Sequence, residues 1–149
     1  MRAYLEWQND RHGEYRKLLD QYFDNKTFEA ELSDLPGKFI PPRGRLLIAT
    51  GENTPVGCVA LRDLGGAVCE MKRLFVVPEY HGRGVGLALA KAVIEEARGI
   101  GYNLMRLDTG PKSIEAQTIY SKLGFREIAP YDQVDDEMKN WLVFMELTL

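Results

Sequence analysis

Three glycines at alternate positions, Gly82, Gly84 and Gly86, mark the stretch of this sequence that is best suited to holding a ligand. They follow an apolar run at residues 74–77 that is typical of a strand, and they precede a segment with helical periodicity. Glycines at this density let the backbone approach a ligand and adopt φ values that a Cβ would forbid. Because a helix N-terminus presents unpaired N–H groups, it favours an anion. The order of strand, glycine loop and helix therefore predicts a site for a phosphate-bearing ligand.

The glycine spacing does not fit the two common nucleotide-binding loops. A dinucleotide loop needs Gly-x-Gly-x-x-Gly or Ala, but the third position is Leu87 counted from Gly82 and Leu89 counted from Gly84. A mononucleotide loop needs Gly-Lys followed by Ser or Thr, whereas Gly86 is followed by leucine and alanine. A nucleotide-binding α/β domain is therefore disfavoured. A glycine-rich turn that serves only tight packing is the structural alternative.

Hydrophobic periodicity predicts the elements that must position this loop. Helices are predicted at residues 11–24, at 27–35 with Thr27 as a possible N-cap, at 84–98, and between Ser113 and Gly124. Strands are predicted at residues 46–50, 56–62, 67–77, 104–109, 125–128 and 141–147. Residues 36–45 contain three prolines and predict an ordered loop, and the acidic residues Asp132, Asp135, Asp136 and Glu137 predict a solvated loop.

The order of these elements predicts a mixed sheet. The strands at 46–50, 56–62 and 67–77 are joined by short turns, which indicates an antiparallel meander. A helix lies between the strands at 67–77 and 104–109, so these two should be parallel neighbours with a right-handed crossover.

Composition sets the class of protein. The chain has 149 residues, 45% hydrophobic and 28% charged, with a net charge of −3, which is ordinary for a soluble globular protein. We expect one domain at residues 1–149. The charge gives no reason to expect a nucleic-acid partner. No apolar run is long enough for a signal peptide or a membrane span, so the expectation is a cytoplasmic protein that does not bind membranes.

The cysteines and histidines predict neither a disulfide nor a metal site. Symmetric pairing about a turn at residues 65–66 would place Cys58 opposite Arg73 and Cys69 opposite Arg62, so the two thiols should be reduced core residues. The spacing of the two cysteines and two histidines does not suit a metal ion, and we expect no metal.

The segment His81-Gly82-Arg83-Gly84-Val85-Gly86 resembles motif A of the GNAT superfamily of N-acetyltransferases, which bind acyl-coenzyme A. That motif has Arg or Gln, two free positions, Gly, one free position, and Gly or Ala. Two further stretches, residues 70–76 and Ala116-x-x-x-Tyr-x-x-Leu-Gly-Phe, are similar to GNAT segments in the expected order. The resemblance implies an α/β (α+β) fold: a mixed, mostly antiparallel sheet with a central splayed parallel strand pair, flanked by helices.

The resemblance implies transfer of an acetyl group from acetyl-coenzyme A (acetyl-CoA) to a primary amine of a small molecule or peptide. Backbone N–H groups of the glycine loop would hold the pyrophosphate with Arg83 as counter-charge, and the backbone at residues 74–76 would pair with the pantetheine arm. The implied cofactor-binding residues are Leu74, Phe75, Val76, His81, Gly82, Arg83, Gly84, Val85, Gly86, Leu87 and Ser113.

Three residues have implied catalytic roles. Tyr120 aligns with the tyrosine that protonates the departing thiolate in the family. Glu70 and Asp108 occupy positions that different family members use for a general base, and strand alternation cannot choose between them. Each carboxylate could instead form a surface ion pair, for example Glu70 with Lys72.

Two departures from the family pattern bear on cofactor binding. His81 replaces the first Arg or Gln of motif A and supplies less charge near pH 7 than arginine would. Ser113 replaces an asparagine that often contacts the cofactor. The resemblance places the acceptor at residues 28–45 and 130–141, does not identify it, and allows a homodimer. An acyl-CoA-binding sensor without turnover is the alternative to an enzyme.

Overall fold

The computed structural model describes residues 2–131 and 135–149. The helices are α1 (Arg2–Arg11), α2 (Arg16–Tyr22), α3 (Asn25–Ser33), α4 (Val85–Ile100), α5 (Ile114–Lys122) and α6 (Asp136–Trp141). The strands are β1 (Arg45–Gly51), β2 (Thr54–Gly65), β3 (Val68–Val76), β4 (Leu104–Thr109), β5 (Arg126–Ile128) and β6 (Val143–Thr148). Short 3₁₀ turns occur at Gly13–Tyr15, Gly37–Phe39 and Pro78–Tyr80.

Within the described residues, one sheet has the strand order β1-β2-β3-β4-β6-β5. The β1-β2-β3 meander is antiparallel, β3 and β4 are parallel, and β6 pairs antiparallel with both β4 and β5. The predicted mixed sheet with one central parallel pair is confirmed. The bounds of β4 match the prediction. Its side chains alternate in burial, which explains why the sequence indicated a strand there.

The parallel pair separates after three residues. Residues 68–70 of β3 pair with residues 104–106 of β4, although both strands continue beyond that point. On its other side β3 bulges, because Lys72 lies opposite Ala60 and Phe75 lies opposite Cys58, so that two residues of β3 face one of β2. Arg73, within the bulge, has a φ of 59°. The splay opens one edge of β3 where the glycine loop follows.

The bulge also determines which side chains of β3 enter which apolar layer. Met71 and Leu74, three residues apart, both pack in the layer formed with α4, which strict alternation along a strand would not allow. Phe75 packs in the opposite layer, formed by aromatic and aliphatic residues of α1, α2 and α3. The sheet is therefore covered on both faces.

The N-terminal helix prediction is wrong in its bounds. In place of one helix at residues 11–24, α1 covers residues 2–10, which were not predicted as helical, together with Arg11, and a break at His12–Tyr15 precedes α2. His12 is fully buried at the break, where its Nε2 accepts a hydrogen bond from the Lys112 backbone N–H at 3.2 Å. That contact joins residues 100 positions apart, so local periodicity carries no signal for it.

Three other local predictions need correction. Asp24, and not Thr27, caps α3: its carboxylate accepts from the Thr27 N–H. The predicted acidic loop contains α6, capped by Asp135, whose carboxylate accepts from the Met138 N–H at 2.9 Å. Trp141, predicted as the start of the last strand, belongs to α6. Asp132 lies outside the described residues.

The β2–β3 register also differs from symmetric pairing. Cys58 lies opposite Phe75 and Cys69 opposite Asp63, because bulges shift the register along the hairpin. Both cysteines are buried and free, as predicted. Across residues 2–131 and 135–149, no helix has the length and apolar character that a membrane span requires.

Candidate active site

A cleft of about 510 Å³ opens beside the splayed end of β3 and the N-terminus of α4. It brings together nine of the predicted cofactor-binding residues: Leu74, Phe75, Val76, His81, Gly82, Gly84, Val85, Gly86 and Leu87. Residues of α5 close the opposite wall, including Ile114, Ala116 and Ile119. Trp7 of α1 also lines the cleft. Sequence reasoning missed Trp7 because it did not predict α1.

The glycine loop has the geometry of an anion cradle. Gly82 and Gly84 have φ values of 73° and 81°, and a Cβ at either position would meet no atom within 4 Å, so the backbone there is open. Gly84 is the N-cap of α4, which is 16 residues long and therefore has a substantial dipole at this end. At Gly86 a Cβ would lie 3.0 Å from Ile119 Cδ1, so glycine allows α4 and α5 to approach closely. These residues fit the pyrophosphate of a coenzyme A molecule.

Two predicted cofactor residues do not line the cleft. The Arg83 guanidinium lies over the ring of Tyr80, 4.8 Å from its centroid, on the exposed side of the loop. Ser113 occupies the N-cap position of α5, but its hydroxyl makes no capping bond and is buried without a hydrogen-bond partner among the described residues. Their contacts with the cofactor stay predictions.

The backbone expected to pair with pantetheine is partly engaged. His81 Nε2 lies 2.8 Å from the carbonyl oxygen of Val76, and the His81 ring packs edge-on against Trp7. A pantetheine amide that paired with this carbonyl would use its second lone pair or replace the imidazole. His81 therefore acts here on the strand edge and not only as the first residue of the loop.

A second cavity, of about 400 Å³, lies along β3 from the cleft. Lys72 and Arg73 line this cavity, whereas Leu74 and Phe75, the next residues of the strand, line the cleft. Since a strand rises by about 3.3 Å per residue, the residues of β3 that line the two spaces are direct neighbours at the bulge. The remaining lining residues come from α2, α3 and the connection between them, from Lys38, and from α6 with its cap: Gln21, Tyr22, Phe23, Asp24, Thr27, Phe28, Glu31, Lys38, Asp135 and Met138.

A buried polar network borders the second cavity. Tyr22 donates its hydroxyl hydrogen to Asp108 Oδ1 at 2.5 Å, and Lys72 Nζ lies 2.8 Å from Asp108 Oδ2 and 3.1 Å from the Tyr22 oxygen. The side chains of Lys72 and Asp108 are 12% and 3% exposed. The structure thus joins the candidate base Asp108 to two cavity residues, Tyr22 and Lys72, that sequence reasoning did not assign to the site.

Glu70, the other candidate base, lies deeper in the same network. Its side chain is fully buried, accepts from the Tyr131 hydroxyl at 2.7 Å, forms an ion pair with Arg62, and lies 3.5 Å from Lys72 Nζ. The pairing of Glu70 with Lys72 was correct, but its placement on the surface was wrong. Because β3 pairs with β4 on one side and with β2 on the other, Glu70 is enclosed by both neighbours.

Electrostatic balance keeps the network charged. Burial opposes ionisation of Asp108, but the Lys72 ammonium and hydrogen bonds from Lys72 and Tyr22 outweigh it, so the pKa of Asp108 lies below its usual value. Burial likewise opposes the charge on Lys72, but Asp108, Tyr22 and Glu70 hold the Lys72 pKa well above its usual value. An aspartate and a lysine in contact are therefore both ionised at neutral pH.

Tyr120, the candidate general acid, lies on α5 next to the cleft-lining residue Ile119, but its own side chain packs in the core and lines neither of the two cavities. It is 5% exposed and packs against Phe125, with ring centroids 5.6 Å apart. Burial, followed by the nearby Tyr4 and Asp108, raises the pKa of its phenol. The hydroxyl therefore carries its proton at neutral pH, as a general acid must.

The splayed parallel pair, the glycine loop at a helix N-terminus, and the cleft between them define the class of acyl-coenzyme A N-acyltransferases. A family model described as "Acetyltransferase (GNAT) family" matches residues 2–125. An uncharacterised N-acetyltransferase of Schizosaccharomyces pombe is 39% identical over 127 residues, which is 79% of this chain and 78% of that protein. The chain belongs to the GNAT family of acetyltransferases.

Solved structures support the same assignment. A GNAT-family acetyltransferase from Staphylococcus aureus is 25% identical with a TM-score of 0.68, covering 79% of this chain and 76% of its own. The PaiA N-acetyltransferase of Thermoplasma acidophilum, in complex with coenzyme A, has a TM-score of 0.71 over 99% of this chain and 88% of its own. At 18% identity the second shows the fold alone. This protein is thus an acyltransferase enzyme with N-acetyltransferase activity.

Proposed function

We propose that the protein transfers the acetyl group of acetyl-CoA directly to a primary amine. The observation that carries the proposal is that consecutive residues of β3 at the bulge line two spaces, a cleft with an anion cradle and a polar cavity. A thioester held in the first space would end beside an amine held in the second.

The cosubstrate side rests on the glycine loop. The N–H groups of the loop and of the first turn of α4, at residues 82–87, are proposed to hold the pyrophosphate, and the β3 backbone at residues 74–76 the pantetheine arm. Coenzyme A supplies a good leaving group, the thiolate. Within residues 2–131 and 135–149, no group of three or more His, Cys, Asp or Glu side chains is arranged around a common metal position.

The acceptor side rests on the second cavity. Phe28, Glu31 and Lys38 fall within residues 28–45, and Asp135 and Met138 within residues 130–141, the two segments from which the acceptor site was predicted. The agreement supports this cavity as the place where the amine binds.

The proton movements assign roles to three side chains. As the amine nitrogen bonds to the acetyl carbon, its proton passes to the Tyr22 oxygen while Tyr22 gives its own proton to Asp108. As the C–S bond breaks, Tyr120 donates its proton to the thiolate sulfur and regains one from solvent, and Asp108 releases the proton it accepted to solvent, so that both groups return to their starting states. We favour Asp108 over Glu70 because Tyr22 links Asp108 to the cavity, whereas Arg62 and Tyr131 engage Glu70.

Thiol release from acetyl-CoA in the presence of a panel of primary amines tests the proposal. We expect amine-dependent release together with an N-acetylated product identified by mass spectrometry. Release without any amine, or no release with any amine at saturating acetyl-CoA, would contradict direct transfer and favour a sensor without turnover.

Other properties remain proposals. Two buried free thiols, Cys58 and Cys69, fit a reducing compartment, and we propose a cytoplasmic location. One domain at residues 1–149 and a homodimer are expectations that size-exclusion chromatography with light scattering and limited proteolysis would check.

A further inference from the structure

The inner wall of the second cavity carries more positive charge than its own ion pairs neutralise. Arg73 and Lys38 share one carboxylate, because Glu31 lies 3.0 Å from Arg73 Nε and 2.7 Å from Lys38 Nζ. Beside this cluster, Lys72 pairs with Asp108 and also contacts Glu70, which has its own ion pair with Arg62. These seven side chains, four cationic and three anionic, therefore sum to one net positive charge next to the cavity.

The two aspartates on the rim of the cavity already cap helix N-termini. Asp24 caps α3 and accepts from Thr27 N and Oγ1 at 3.4 and 2.7 Å. Asp135 caps α6 and accepts from the Met138 N–H and from Gln21. Because a helix N-terminus compensates a carboxylate placed on it, neither aspartate cancels the positive charge deeper in the cavity.

Arg73 is held in place by an unusual backbone and an aromatic cage. Its φ of 59° is a left-handed conformation that non-glycine residues rarely adopt, and such strain clusters at functional sites. The guanidinium lies over the rings of Phe23, Phe28 and Tyr4, at 5.2, 5.5 and 5.9 Å from their centroids. The side chain is 10% exposed and fixed before any ligand binds.

The fixed guanidinium has spare donors. Nε and Nη2 donate to Glu31, whereas Nη1 makes no hydrogen bond to any residue that the structure describes. A guanidinium has five N–H donors in a planar fork that matches a carboxylate. Lys38 lies on the other side of Glu31, and its 44% exposed side chain can swing toward a ligand.

We infer that the acceptor is an amino-carboxylate, whose carboxylate binds Arg73 and Lys38 while its amine lies toward Tyr22 and Asp108. The inference rests on the proposed function and names its substrate class. Free amino acids and related small molecules with both groups belong to this class. An internal lysine of a protein does not, since it offers an amine without a carboxylate at short range.

Matched amines test the inference in thiol-release assays. For aliphatic, aromatic and basic side chains, the free amino acid is compared with its α-amide and with the decarboxylated amine. Because a hydrogen bond to a charged group is worth about 1.5–3 kcal/mol, we expect kcat/KM to be about 10-fold higher or more for the free amino acid, mainly through KM.

Two variants separate recognition from folding. Lys38→Gln is expected to raise KM for the preferred amino acid several-fold and to leave KM for its amide unchanged, whereas Lys91→Gln, which removes a charge from the exposed face of α4, changes neither. Arg73→Lys keeps the positive charge but loses the planar fork of N–H donors. We expect it to remove most of the preference for the free amino acid over its amide. A rise in Tm with acetyl-CoA would show that this variant is folded.

The outcomes distinguish this inference from the proposed function. Equal or better turnover of amides and decarboxylated amines, turnover of no free amino acid, or an unchanged KM in Lys38→Gln would overturn the amino-carboxylate class and leave acetyl transfer intact. If no amine of any kind is acetylated, the proposed function fails and the inference fails with it.

Discussion

Replacing Tyr120 by phenylalanine is expected to lower kcat by about 10²–10⁴-fold, the usual contribution of a general acid, without weakening acetyl-CoA binding. The reason is that Tyr120 is buried with a raised pKa, so its hydroxyl is a protonated donor on the helix that walls the cleft. Phenylalanine keeps the ring packing against Phe125 and removes only the hydroxyl group. Steady-state thiol release measures kcat, and the thermal shift with acetyl-CoA measures binding.

Tyr102→Phe provides the matched control for this substitution. Tyr102 is equally buried, but its hydroxyl donates to the Arg43 carbonyl at 2.9 Å, away from both cavities. Its loss should cost stability and leave kcat within about twofold of the parent, since a neutral hydrogen bond contributes only about 0.5–1.5 kcal/mol to folding. A Tyr120→Phe enzyme with near-parental kcat would remove Tyr120 from the chemistry.

Lys72→Met should lower the free energy of unfolding by about 3–5 kcal/mol, the cost of leaving a buried charge without its partner. Lys72 is the one ammonium that contacts both Asp108 and Glu70 among the described residues, and methionine fills similar volume without the charge. Urea denaturation of the parent and the variant, compared at equal m-value, measures the difference.

Lys91→Met, at an exposed position on α4, controls for loss of a lysine and should change stability by less than about 0.5 kcal/mol.

The effect of Lys72→Met should also depend on pH. In the parent, the lowered pKa of Asp108 means that its ion pair adds stability above the unfolded pKa of about 3.9, and this stability is lost as pH falls through the lower folded value.

In the variant, Asp108 is buried without an ammonium, so its pKa rises and protonation relieves the penalty. The gap in stability between parent and variant should therefore begin to narrow as pH falls through the raised Asp108 pKa of the variant. It should narrow further below about pH 4, where the parent loses the stability of its ion pair. Two results would show that the network does not need Lys72 for its charge balance. One is a loss of less than about 1 kcal/mol in the free energy of unfolding of Lys72→Met at pH 7. The other is a difference in that free energy between parent and variant that does not depend on pH.

Local sequence patterns predicted the parts of the fold that local physics determines. The strand at residues 104–109 alternates in burial, and the three glycines after β3 precede a helix with one apolar face. Both elements could therefore be predicted from a few consecutive residues. The glycine loop is therefore the part of the site that sequence predicts best, because its backbone conformation depends on a few neighbouring residues.

Long-range contacts account for what the sequence did not reveal. Tyr22 and Asp108 are 86 positions apart, and no local pattern indicates that their side chains meet. The bulge at Arg73 interrupts the alternation of side chains along β3, and no glycine at this position indicates it in the sequence. Because of the bulge, Lys72 and Arg73 line one cavity and Leu74 lines the other. The partners of Glu70 and Asp108, on which the proposed choice of Asp108 as base depends, likewise come from distant parts of the chain.

Thermal unfolding in the presence of acetyl-CoA, with NAD and ATP as controls, most directly tests whether the glycine loop and the splayed strand hold this cosubstrate. A ligand at about 100 times its dissociation constant stabilises the folded state by about 2.7 kcal/mol, which raises Tm by several degrees in a domain of this size. The proposed site predicts such a rise with acetyl-CoA and none with NAD or ATP. An unchanged Tm with acetyl-CoA, or an equal rise with NAD, would contradict it.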